Sequence, residues 1–406
     1  MTGGRATTIR RQWWAWAIAA LVIAVAVAPL VEQWLTNPDD QRLVDLDVYR
    51  TGGQMILDGR AVYEFATPAP QLLPFTYPPV AAMLAVLLAK MPWETAQWVW
   101  TAGVFVSLAV VVAYSFRGVL AARQEGQAAH RDGLARYAPW LFAFLMVACT
   151  YLMPIRDQVR FGQVDILLVA LCLADCVARR PWWPRGFLIG LATAVKLTPG
   201  VFLIYLLVTR QWRTFFMAAF AAALLTLLPF VVIPQDAADF WFSALFDPNR
   251  LGANAATTNQ SIRGMLIRLY LPDAVTSAIW IALVAVVGWY GFRGARAAYQ
   301  AKDPITAVAL VGLMAVLLSP VAWIHHLAWV VVVLGAIVGD GRDPVRVRVA
   351  VGVWLYYVLP IPWWGVALKV AGVPVLDKIV QDGYGLGALG LVWLLASWLP
   401  KRRDVG

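Results

Sequence analysis

The chain has 406 residues, a formal net charge of +10, 61% hydrophobic and 14% charged residues, and a mean hydropathy of +0.68. Soluble domains carry about 45–50% apolar and ~25% charged residues, so this composition excludes a water-soluble globular enzyme, a disordered chain and a nucleic-acid binder. Long apolar stretches with few charges indicate membrane helices of about 20 residues each, and 21 Trp with 13 Tyr suit an extensive membrane–water interface.

Arg5, Arg10 and Arg11 precede the first apolar run, 13–35. That run is longer than the apolar region of a secretory signal and lacks a small-residue cleavage site, so it reads as a permanent span with a cytoplasmic N-terminus. A first extracytoplasmic loop follows over 36–95. Within it lies the apolar run Tyr77–Lys90, opened by Pro78-Pro79, which start a short helix well. If that run crossed, the Arg-rich loop 117–136 would face outward; if it lies in the interface, every basic loop falls on one side. The second reading is adopted. Further spans are expected at 96–116, 138–154, 164–178, 186–195 with 200–208, 214–233, 273–292, 304–319, 327–341, 347–360 and 384–399, with a second large outer loop at 234–272. The count is about twelve when 186–195 and 200–208 are counted separately. Those two runs are short and read as half-helices meeting at Lys196-Leu197-Thr198-Pro199-Gly200, where Pro and Gly break a helix. The expected fold is an all-α integral membrane protein with one domain over 1–406.

In this topology the cytoplasmic segments hold twenty-one of the 33 Lys and Arg, and both termini lie inside. The polar segments then collect on the outer face. Asp45 and Asp47 lie just past the first span; two carboxylates there suit a metal pair, a general base with a neighbour, or a solvated acidic loop beside Asp39 and Asp40. His325 and His326 are adjacent between apolar helices and point about 100° apart, so at most one faces a given pocket; His130 belongs to a basic loop. Lys196 is an ionisable residue at membrane depth, a functional-site feature by default, with snorkelling to the headgroups as the alternative. Arg263 follows Asn259, Gln260 and Ser261 in the second outer loop and suits a phosphate clamp or a lipid-headgroup contact; Arg156 and Arg160 are weaker versions of the same feature. Gln163 and Asp165 open a span, where Asp165 reads as a helix cap. Cys149, Cys172 and Cys176 lie in apolar segments and read as core residues. No phosphate-binding glycine loop, dinucleotide fingerprint, CxxC or HExxH is present, so nucleotide coupling, redox chemistry and zinc hydrolysis have no support. An outward pocket with carboxylates, imidazoles and cations fits group transfer from a phosphate-bearing lipid.

The ordered set Asp45-Leu46-Asp47-Val48-Tyr49, Pro74-Phe75-Thr76-Tyr77-Pro78-Pro79, Gly162-Gln163, Lys196-Leu197-Thr198-Pro199, Asn259-Gln260 with Arg263, and Ser319-Pro320 through His325-His326 resembles glycosyltransferase family 87. It is most similar to that family's polyprenol-phosphate-mannose-dependent α-1,2-mannosyltransferases. The resemblance implies a GT-C-type multi-pass bundle with juxtamembrane helices in the first outer loop. It implies a plasma-membrane enzyme acting on the extracytoplasmic side. Mannose passes from a polyprenyl-phosphate-mannose donor to a glycolipid acceptor of phosphatidylinositol mannoside or lipomannan type, by inverting displacement. It places the catalytic acid at Asp45; relatives do not all keep an acid at the position of Asp47, which argues against an obligatory metal pair. The implied site is Asp45, His325 and His326 for catalysis, with Asp47, Tyr49, Tyr77, Gln163, Lys196, Asn259, Gln260 and Arg263 for substrate. No cofactor, metal, nucleotide or nucleic acid is expected; the partners are the two lipid substrates and membrane lipids. An arabinofuranosyl-transferring member of the same family is the alternative within the class, disfavoured by the paired His. A lipid-linked sugar flippase is the alternative outside it, disfavoured because its charges would line both membrane halves.

Overall fold

The computed structural model describes residues 13–38, 41–122, 137–247, 250 and 252–403. Arg5, Arg10, Arg11, Asp39, Asp40, His130 and the part of the Arg-rich loop from 123 to 136 lie outside the described residues.

The first helix, α1 (Trp13–Leu35), is followed by α2 (Val44–Leu57) and α3 (Pro79–Ala89), then α4 (Trp93–Ser115) and the short α5 (Arg117–Ala122). Next come α6 (Ala138–Thr150), α7 (Met153–Phe161), α8 (Asp165–Val177) and α9 (Phe187–Val195). A 3-10 turn (Thr198–Gly200) leads into α10 (Val201–Val208), α11 (Trp212–Val232), α12 (Pro234–Phe242) and α13 (Ile262–Ile267). After α14 (Asp273–Gln300) and α15 (Pro304–Leu317), a second 3-10 turn (Ile324–Trp329) continues into α16 (Val330–Val338). The chain ends with α17 (Pro344–Val358), α18 (Ile361–Val370), α19 (Leu376–Gln381), α20 (Gly383–Trp393), a π turn (Leu394–Trp398) and α21 (Leu399–Arg403). No strand is formed among the described residues, only isolated bridges such as Asn259 with Trp323.

This is an integral membrane helical protein, but twelve spans are not supported. Among the described residues, five stretches are long and apolar enough to cross a bilayer: α1, α4, α11, α14 and Gly383–Arg402. Two bent pairs reach that length only jointly, α6 with α7 at 76° and α17 with α18 at 47°, for at most seven. The remaining apolar runs are short. The helix α8 has 13 residues and α15 has 14, where a crossing needs about 20. Their hydropathy has a different cause. Every residue from Ile305 to Leu317 is buried, whereas Phe216, Phe220, Leu227 and Val231 on α11 are exposed. A helix apolar on all sides belongs to a protein interior; an exposed apolar face is a lipid face. The half-helix reading of 186–208 corresponds to α9 and α10, separated by extended Lys196 and the 3-10 turn.

Two close approaches bring distant segments to one point. Gly162 ends α7 in the left-handed conformation (φ +69°), and a Cβ there would lie 2.8 Å from Leu46 Cβ. This lets the N-terminal turn of α2 lie against the end of α7, an approach reinforced by Leu43 N–H donating to Arg160 O at 3.2 Å, and Trp100 Nε1 on α4 donates to Gly162 O at 2.7 Å. Gly312 on α15 faces the indole of Trp329, whose Cδ2 would be 2.2 Å from an added Cβ. The turn that carries both histidines therefore docks directly on the buried helix.

Gly59 also has a positive φ (+64°) but has open space around its Cβ position. Gly59→Ala therefore carries only the backbone term, about 1 kcal/mol, while Gly162→Ala adds an overpacking term of about 1–3 kcal/mol. Thermal unfolding in detergent is expected to show the larger loss for Gly162→Ala; equal losses would mean that the α2 contact is not tight.

Candidate active site

Residues 45 and 49 are one helical turn apart on α2 and share a face, whereas residue 47 points about 200° round the helix from 45. The half-buried Asp45 meets the Gln163 side chain, and Asp47 instead faces Arg50 and Thr51. The phenols of Tyr49 and Tyr77 are 2.9 Å apart and lie 3.1 and 3.3 Å from Gln163 Oε1. One phenol donates to the other and the other to the amide oxygen, so the amide NH2 is left for the Asp45 carboxylate. Burial pushes the Asp45 carboxyl up to about 7; Gln163 and Lys196 pull it down, and the charges of Asp165 and Asp157 push it further up. Burial likewise holds the Tyr77 phenol up at about 12, so it stays a hydrogen-bond donor at neutral pH.

Across from these groups stands Lys196, at the break between α9 and α10. Its backbone is extended (φ −150°, ψ 133°), and its side chain is 12% exposed. Nζ donates to Asp165 Oδ1 at 2.7 Å, lies 2.9 Å from His326 Nε2, and sits 5.3 Å from the Tyr77 ring centroid. The Trp323 backbone N–H donates to His326 Nδ1 at 3.1 Å. Both ring nitrogens thus face N–H donors, the Trp323 amide at Nδ1 and the Lys196 ammonium at Nε2, and a neutral imidazole accepts at only one of them.

The imidazole of His325 is packed edge-on against His326 (4.7 Å) and Phe161 (6.1 Å). Its Nε2 is 3.8 Å from Asp165 Oδ2, and both atoms are buried without a hydrogen-bond partner. Such a pair is a place for an incoming polar group. Both His therefore border the site: His326 through Lys196, His325 through Asp165.

The sequence reading missed two residues here. Asp165 is not a cap; its carboxylate is the counter-ion of Lys196. The usable signal was Lys196 itself, because a buried cation in an apolar setting requires a carboxylate partner. Gln158 is fully buried, donates through Nε2 to His325 O at 2.8 Å, and accepts from Ile166 N–H at 3.3 Å, so it ties the His turn to α8.

Four expected substrate contacts are not brought into this cluster. Asn259 is fully buried: Oδ1 accepts from Ser261 Oγ (3.0 Å) and Ala322 N–H (3.0 Å), and Nδ2 donates to Asn254 O (2.9 Å). Gln260 donates to Thr257 O and Gln381 O and accepts from Gly385 N–H. The Asn259 amide holds the loop that carries Trp323 beside His326, and the Gln260 amide ties its own loop to residues 381 and 385. The Arg263 guanidinium lies over the Trp280 ring at 5.4 Å. Asp47 also stays outside the cluster, for the helical reason given above.

Asp165, His325 and His326 offer ligand atoms within 4.8 Å of one another, a spacing that suits a metal ion. The Lys196 ammonium already bonds Asp165 and lies 2.9 Å from His326 Nε2, so the chain supplies its own cation at that point.

A family model described as glycosyltransferase family 87 matches residues 75–320. The chain belongs to glycosyltransferase family 87. A polyprenol-phosphate-mannose-dependent α-(1-2)-phosphatidylinositol mannoside mannosyltransferase of Mycolicibacterium smegmatis is 36% identical over 303 residues, covering 72% of this chain and 68% of its own. The protein of the same description from Mycobacterium tuberculosis is 34% identical over 319 residues, 77% of this chain and 74% of its own. A polyprenol-phosphate-mannose-dependent α-(1-2)-phosphatidylinositol pentamannoside mannosyltransferase of Mycolicibacterium smegmatis is 27% identical over 383 residues, 93% of this chain and 87% of its own. No solved structure matches. The chain is thus a membrane glycosyltransferase, and the cluster around Lys196 is its candidate active site.

Removing one member of a buried ion pair strands the other charge and costs about 3–5 kcal/mol. Lys196→Met is expected to lower the thermal midpoint markedly, and Lys196→Met combined with Asp165→Asn to recover part of the loss. Additive losses in that double-mutant cycle would show that the two side chains are not coupled.

Proposed function

We propose that this glycosyltransferase transfers mannose from a polyprenyl-phosphate-mannose to the 2-hydroxyl of a mannose on a phosphatidylinositol mannoside-type glycolipid, forming an α-1,2 link. The reading rests on one juxtaposition: a carboxylate titrating near neutrality, Asp45, faces a cation–imidazole cluster, Lys196 with His325 and His326, across a hydrogen-bonded Tyr–Gln wall. The mannosyl donor and the acceptor class come from the printed names of the relatives. The proposed architecture is of GT-C type, with both termini cytoplasmic and the site open to the extracytoplasmic leaflet, as the distribution of Lys and Arg suggests.

In this mechanism Asp45 takes the proton of the attacking hydroxyl. The oxygen forms the new bond to the anomeric carbon as the bond to the phosphate oxygen breaks, with inversion. Charge grows on the departing polyprenyl phosphate, where Lys196 stabilises it and an imidazole returns a proton. Gln163, oriented by Tyr49 and Tyr77, fixes the Asp45 carboxylate. The substrates require no metal or nucleotide in this scheme.

Transfer of radiolabelled mannose from synthetic donor in proteoliposomes is the test. Asp45→Asn is expected to lower the rate by roughly 10²–10⁴-fold, the usual worth of a general base, and Asp47→Asn by far less. Wild-type activity in Asp45→Asn would end the assignment, and equal loss in both would point to a two-carboxylate centre.

The base must be ionised, so the wild-type rate is expected to rise with pH through about 7 and level off above it. A flat profile across that region would separate Asp45 from the chemistry. A chelator is expected to leave the rate unchanged; inhibition relieved by a divalent ion would instead make Asp165, His325 and His326 ligands.

A further inference from the structure

The helix α8 connects two different environments. Asp165 stands at its first residue, in the site described above. At its last turn, roughly 16 Å along the axis at 1.5 Å per residue, a separate cavity of about 780 Å³ opens, lined by Tyr114, Arg117, Cys176, Arg179, Arg185 and Gln211 among others. No carboxylate is among the described residues that line it.

The end of α8 itself organises the cations. Its terminal carbonyls have no helical partner and carry the negative end of the helix dipole. Arg117 Nη1 donates to Val177 O at 3.0 Å; Arg185 Nη1 donates to Asp175 O at 2.9 Å, and its Nη2 to Ala178 O. A guanidinium has five N–H donors, so these bonds fix both groups and leave donors unspent. The nearby acids are engaged with backbone. Asp175 accepts from Gly186 N–H and Ile189 N–H and from Trp183 Nε1, and Asp303 Oδ1 accepts from Thr306 N–H. Burial and the neighbouring Arg179 both disfavour the charge on Arg117, with Asp303 opposing.

Three like charges gathered in one recess, two of them held there by backbone, suit an anion. The site also has a defined depth. The 23-residue apolar helix α4 ends at Ser115, two residues before Arg117, where an apolar helix gives way to water and phosphate groups reside. We propose that this cavity binds the phosphate of a membrane phospholipid head group through Arg117, Arg179 and Arg185. The site is separate from the transfer site and would be occupied by a lipid that is not consumed. A free phosphate anion shares the same chemistry.

The test titrates the full-length protein in zwitterionic micelles with short-chain phosphatidylglycerol, short-chain phosphatidylcholine or inorganic phosphate, and counts bound ligand by native mass spectrometry. Phosphatidylglycerol is expected to bind, and Arg179→Glu to weaken it by roughly tenfold or more. Arg179 is exposed, so this variant spares the backbone bonds that Arg117 and Arg185 make. Arg348→Glu, exposed and away from the cavity, controls for net charge and is expected to leave binding unchanged. Retention of phosphatidylglycerol but not inorganic phosphate identifies a lipid head group as the occupant; equal competition by inorganic phosphate identifies a free anion. Equal binding by wild type and Arg179→Glu, equal weakening by Arg179→Glu and Arg348→Glu, or no anion bound by wild type would each overturn the proposal.

Discussion

The buried ion pair between Lys196 and Asp165 sets the terms for the rest of the site. Taking an ammonium and a carboxylate out of water costs several kcal/mol per ion, and their attraction offsets this only when geometry and further hydrogen bonds are good. The fold meets that condition from three directions. The break between α9 and α10 frees Lys196 from a regular helix, α8 presents Asp165 at its first residue, and the Trp323 amide fixes the His326 ring that gives the ammonium a second neighbour. The residual imperfection is informative. Asp165 Oδ2 and His325 Nε2 are left buried and unbonded, which is costly in a resting core and useful where a substrate oxygen arrives.

The two sides of the site differ in how they are held. The Asp45 side is a chain of neutral hydrogen bonds, Tyr to Tyr to Gln, which leaves its carboxylate weakly compensated and therefore easily protonated. The Lys196 side is compensated by charge. A proton acceptor and a charge stabiliser need opposite environments, and the structure separates them within one cluster by using dipoles on one side and ions on the other.

Much of this was legible in the residues themselves. The spacing of Asp45 and Tyr49 placed them on one helical face, and a lysine amid apolar half-helices marked a functional position. Asp165 was misread because a carboxylate at the start of a helix is compatible with a local cap, and only the tertiary fold reveals a partner thirty-one positions away. Asn259 and Gln260 looked like substrate contacts for the converse reason. Sequence shows that an amide is present, but not that carbonyls and amides from 254, 257, 322, 381 and 385 will bond it. The span count failed on another ambiguity: hydropathy is blind to whether an apolar face meets lipid or protein, and α15 and α16 meet protein.

That last feature bears on how the chain is made. The helix α15 is apolar enough to leave water but at 14 residues is too short to cross a bilayer alone, and in the finished molecule residues 305–317 are shielded by their neighbours. Such a segment has no stable place as an independent insertion unit. Its shielding is supplied by its neighbours α14 and α16, so the place of α15 in the molecule is defined by packing between helices rather than by its own hydropathy.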